Sequence, residues 1–112
     1  RQKDVKLLTL YNDHALDHLL YVVKDQLPFC CYVPKEIEVL LEYDKENNTQ
    51  YGETLKVYLY NFLDSNKTYI FLNIHRNTLL HRLNKIEQIA NINLNDADLL
   101  LRLLLAFKIM DQ

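Results

Sequence analysis

A single glycine, Gly52, in 112 residues leaves no material for a phosphate-cradling loop, and neither GxGxxG nor GxSxG occurs. That removes nucleotide-binding and hydrolase readings together. Proline is nearly as scarce, with Pro28 and Pro34 alone, so little interrupts helix; beside 49% apolar residues, this composition argues for a packed, helix-rich protein and against disorder. The two cysteines, Cys30 and Cys31, are neighbours. A bridge between adjacent residues is strained and no CxxC or zinc spacing exists, so we expect two buried or half-buried reduced thiols in a cytoplasmic protein. No long apolar run is present either: Leu99 to Met110 is the most apolar stretch and carries Arg102 and Lys108. It falls short of the roughly 20 residues that cross a bilayer, and no signal peptide is visible.

Other chemistry is thinly represented. His14 and His18 stand four apart on an expected helix, near Asp13 and Asp17, yet no third ligand lies at a sensible spacing and HExxH is missing. We read the pair as structural or solvated, with no metal. The acids Glu36, Glu38, Glu42, Asp44 and Glu46 are spaced as an exposed helical face. No catalytic constellation and no cofactor site results, so the chain is not read as an enzyme.

What is present is helical periodicity and an uneven charge. Residues 1–64 hold seven basic against eleven acidic side chains, while residues 65–112 hold six against four. A mildly basic C-terminal half is what a nucleic-acid face would need, with weak, salt-sensitive binding for a single copy. Residues 5–10 (VKLLTL) suggest a strand, then Asn12 or Asp13 caps a helix from His14 to Gln26. Pro34 opens a helix carrying Ile37, Leu40 and Leu41, which ends in the polar run Asp44 to Gln50. A helix from Tyr51 to Leu63 follows. The last helix, capped by Asn95, is apolar nearly all round and must be buried on several sides or packed on a second copy.

Between these lies the most informative stretch. Ser65 to Leu72 reads as a short helix capped by Ser65 or Asn66, and Leu72-Asn73-Ile74 as a tight turn in which Asn73 accepts left-handed backbone. The next helix places Leu79, Leu80, Leu83, Ile86, Ile89 and Ala90 on one stripe and Asn77, His81, Asn84, Lys85 and Gln88 on the other, and Asn91 ends it. Two short helices joined so tightly form a helix-turn-helix, whose second helix enters the DNA major groove.

The block His75-Arg76-Asn77-Thr78-Leu79-Leu80-His81-Arg82-Leu83-Asn84-Lys85-Ile86-Glu87 resembles the signature of the C-terminal helix-turn-helix domain of PucR/CdaR-type bacterial transcription regulators. The likeness extends to Leu40-Leu41-Glu42-Tyr43-Asp44, to Glu53-Thr54-Leu55-Lys56-Val57-Tyr58-Leu59 and to Leu94-Asn95-Asp96. One departure is Tyr69, where the family usually has a small Ala; a ring there must tilt the helix pair or swing outward. The resemblance implies an all-α helical bundle containing a helix-turn-helix DNA-binding unit at residues 51–112. Residues 1–50 would be a helical linker or the tail of an upstream regulatory domain, with a short remnant of that domain at the N-terminus. Because the chain opens on Arg1, we expect a fragment of a longer protein whose sensor, and effector metabolite, lie outside it.

The expected partner is double-stranded DNA, bound sequence-specifically by a homodimer. Arg76 and Asn77 would read base edges with His81 and Asn84, while His75, Arg82, Lys85 and Lys67 hold phosphates; Thr78 would cap, touch phosphate or pack at the junction. The alternative is a degenerate helix-turn-helix that serves as a helical dimerisation or interaction module.

Overall fold

A computed structural model describes residues 2–112, with side chains from His14 onward. Among the described residues seven helices follow in order: α1 (Gln2–Gln26), α2 (Phe29–Tyr32), α3 (Lys35–Asn47), α4 (Tyr51–Tyr60), α5 (Ser65–Leu72), α6 (Arg76–Ala90) and α7 (Ala97–Met110). The all-α expectation holds, but the strand at residues 5–10 does not: that segment lies inside α1, as do Asn12 and Asp13, taken above for caps. No strand exists among the described residues to pair with one there, and no Gly or Pro breaks the helix before Leu27.

The helices end in a way that answers the lack of glycine. Asn48, Asn73 and Asn91, closing α3, α5 and α6, all adopt left-handed backbone with φ near 53°. In each, the following amide reaches back to satisfy a last-turn carbonyl, as in Thr49 N–H to Asp44 C=O and Ile74 N–H to Tyr69 C=O. Asparagine tolerates this geometry better than most residues that carry a side chain. The helix starts are set by acids one residue away from the expected caps: Asp64, not Ser65 or Asn66, accepts from Lys67 N–H, and Asp96, not Asn95, accepts from Leu99 N–H. A carboxylate both caps and complements the helix dipole.

The centre of the fold is α4, which packs against α3, α5, α6 and α7. Its residues Leu55 and Leu59 join Ile37 and Leu40 of α3, Leu79, Leu83 and Ile86 of α6, and Leu99, Leu103 and Phe107 of α7 in one buried cluster. The core therefore runs continuously across residue 50. The α3–α4 junction is fastened by Asp44, whose carboxylate accepts from Thr49 Oγ1, Tyr51 N–H and Gly52 N–H at 2.6 to 2.8 Å. The lone glycine fits closely here: a Cβ on Gly52 would sit 2.9 Å from Leu41 Cδ2 and 3.2 Å from Asp44 Oδ2, so a larger residue would displace the Leu41 side chain and crowd the carboxylate.

α1 packs along α7 through buried Leu20, and Lys24 Nζ donates to the Met110 carbonyl at 2.8 Å. Both cysteines are free, as expected, but exposed rather than buried, because α2 is a single turn with no buried residue. His14 and His18 are exposed on α1, His14 lying 3.9 Å from Asp17. Among the described residues no three His, Cys, Asp or Glu side chains are grouped as a metal would need, and no helix is long and apolar enough to cross a membrane.

Candidate DNA-binding face

The α5–α6 pair is built around a small buried contact. Thr68 is the α5 residue wholly removed from solvent, its Oγ1 donating to the Asp64 carbonyl at 2.7 Å, while Tyr69 lies half-buried at the edge of the core. The small side chain at the heart of the helix is thus one position earlier than Tyr69, and the ring is accommodated at the rim. Asn73 then reverses the chain, Ile74 anchors the turn against the core, and His75 starts α6 by accepting the Asn77 N–H on Nδ1 at 3.1 Å. His75 is a cap first; its Nε2 remains exposed at the helix start.

Along α6, Leu79, Leu83 and Ile86 face the core. Leu80 does not: placed at the side of the stripe, it is 44% exposed. With about 100° between successive residues, Asn77, His81, Asn84 and Gln88 fall within an arc of about 60° on the opposite side, along about 16 Å of helix. All four are exposed, and none of their side chains has a hydrogen-bond partner among the described residues. Arg76 at the first turn, Thr78, and Lys67 on α5 are likewise exposed and unpaired, and Lys85 is half-buried and unpaired. Thr78 neither caps nor packs at the junction.

Two charged residues of α6 are directed elsewhere. Arg82, half-buried on the α4 side, donates from Nη1 to Thr54 Oγ1 at 3.2 Å, and Thr54 is itself wholly buried, donating to the Gln50 carbonyl. Arg82 is therefore tethered to α4, where the sequence suggested a freely projecting group. Glu87, the one acid on α6, accepts the Leu94 N–H at 3.1 Å and so is turned toward the α6–α7 connection. The outer ridge that results is neutral, rich in amide and imidazole groups, and flanked by cations at its start and along one side. Gln88 belongs to it as fully as Asn84; its place on the outward face was legible from periodicity, although it was not among the expected contacts.

This arrangement is a helix-turn-helix with its second helix presented, and comparison with known proteins agrees. Residues 51–109 match the PucR C-terminal helix-turn-helix domain, and the chain belongs to that family. Over 74 residues, 66% of its length, it is 31% identical to the proline-responsive transcriptional activator PutR of Bacillus subtilis strain 168. It spans 18% of that relative's length. No solved structure matches the chain. The class is thus a helix-turn-helix domain of a transcription-regulator family.

Proposed function

We propose that this chain binds DNA sequence-specifically as a homodimer, with residues 51–112 as the DNA-binding unit and residues 1–50, whose α3 shares the core of that unit, linking it to the regulatory part of a cytoplasmic regulator. The observation that carries the reading is the ridge Asn77, His81, Asn84 and Gln88: polar, exposed and unpaired within the fold, on the helix that a helix-turn-helix inserts in the major groove. Arg76 and Asn77 read base edges from the first turns, Arg matching guanine and Asn adenine, with His81 and Asn84 further along. Lys85, Lys67 and His75 hold phosphates, and Arg82 does so with the guanidinium N–H groups that Thr54 leaves free; Thr78 contributes its hydroxyl to the backbone. Two copies on half-sites about 34 Å apart would double the modest basic excess of one. Likeness to a metabolite-responsive activator supports an effector bound outside this chain.

Selection of bound duplexes from a random pool, followed by mobility shift on the enriched sequence, tests this. Enrichment of a two-part motif is expected. Recovery of no motif, with the chain still self-associating, would favour the second reading, a helical interaction module, to which the half-buried Tyr69 and the small basic excess of residues 65–112 lend support.

A further inference from the structure

Cys30 and Cys31 contribute nothing to the core. Free cysteine is ordinarily among the most buried side chains, yet both thiols are exposed on α2, a single turn that buries none of its residues. Backbone bonds hold that turn in shape, Cys31 N–H donating to the Pro28 carbonyl and Val33 N–H to that of Phe29. The two sulfurs act on each other: desolvation, then the charge of Cys30 and a hydrogen bond with it, push the Cys31 thiol above the usual cysteine range. Both residues border a cavity of about 360 Å³, to which α7 contributes Arg102, Leu105 and Ile109. Leu105 is 40% exposed there.

We infer that Cys30 and Cys31 form a dithiol site for a trivalent organic arsenical, a soft electrophile that two sulfurs satisfy and whose apolar group lies against Leu105 and Ile109. A disulfide is disfavoured, because the Cα atoms of neighbours are about 3.8 Å apart, short of the roughly 4.4 Å at which bridges begin. An arsenic atom placed between the sulfurs keeps them further apart and lifts that limit. A tetrahedral metal is not served either: among the described residues no third His, Cys, Asp or Glu is grouped with the pair. Arsenic(III) needs no third protein ligand, since its organic substituent stays attached. Phenylarsine oxide reacts by condensation: two S–As bonds form, the two S–H bonds and the As=O bond break, and one water leaves with both protons. Arsenic stays trivalent, so no oxidant or reductant enters. The second S–As bond closes within one molecule, which gives the pair the advantage of a high effective concentration over either thiol alone. Nothing at this site depends on DNA binding.

Titration of the reduced chain with phenylarsine oxide, read by intact-mass spectrometry and by competition with ethanedithiol, is the test, alongside Cys30→Ser, Cys31→Ser and Leu105→Asn. The parent should gain one phenylarsenic group per chain with the loss of two hydrogens, and should release it to ethanedithiol but not to an equal concentration of mercaptoethanol. Either serine variant should bind about a hundredfold more weakly, with an unchanged melting temperature because neither thiol is buried. Leu105→Asn should weaken phenylarsine oxide by about fivefold and leave arsenite, which carries no ring, unaltered. A serine variant that binds as the parent does, two arsenic groups on one parent chain, or release to mercaptoethanol as ready as to ethanedithiol would each overturn the dithiol site. Equal loss of arsenite and phenylarsine oxide in Leu105→Asn, or loss of neither, would overturn the part given to the cavity.

Discussion

Asp44 and the α6 ridge are both polar clusters on helices of the same core, and they handle their polarity in opposite ways. Asp44 is half-buried and spends its carboxylate internally, on Thr49 and on the first amides of α4. Asn77, His81, Asn84 and Gln88 spend nothing on the fold. Polar groups engaged inside a protein are expensive to remove, since their partners are left unsatisfied, whereas polar groups free at the surface can change at little cost to stability. The first cluster makes the domain; the second is available to something else.

Substitutions at the two places should therefore separate stability from binding. Asp44→Ala leaves two amides at the α4 start and the Thr49 hydroxyl without their acceptor and should cost about 3 kcal/mol in chemical unfolding, with the folded fraction still binding DNA. Arg76→Ala should do the reverse, losing about 1 to 3 kcal/mol of affinity and relaxing preference at one base position while the unfolding curve stays in place. If Arg76→Ala unfolds the chain, or binds the selected site as the parent does, the contrast fails.

Lys85→Ala sharpens it on the flank of the ridge. Loss of a phosphate contact should weaken all sequences alike and reduce the slope of log affinity against log salt by about 1, with no change in base preference.

The smallest effect belongs to the far side of the fold. Tyr60 donates to Asp111 at 2.6 Å, and Lys108 lies 4.4 Å from its ring centroid. Partial burial, then the bond to Asp111 and its charge, push the phenol above the usual tyrosine range. The fold holds the protonated phenol, so this contribution is complete below the ordinary tyrosine pKa of about 10 and declines as pH rises past it, because the unfolded chain releases the proton first. Unfolding at pH values on either side of 10 should show that decline in the parent and a shallower one in Tyr60→Phe.

Much of this could be read from the residues. The helix-turn-helix, the left-handed Asn73 and Asn91, and the outward set on α6 all follow from local rules of spacing and backbone preference. Legibility failed where a side chain's partner lies far along the chain. Arg82 has the same spacing as a phosphate-binding residue, but its Thr54 acceptor is 28 positions away. Leu80 is a leucine next to Leu79, yet the edge of the core passes between them. The caps Asp64 and Asp96 were misplaced by one residue because several capping residue types adjoin at each start, and only backbone geometry chooses among them.

The sequence by itself settled the class of the fold and which face of α6 turns outward, since helical period and the conformational tastes of asparagine and proline act over a few residues. Tertiary structure alone decided which polar groups are already engaged and where the core closes over residue 50. Those depend on helices distant in sequence meeting in space, which no local preference encodes.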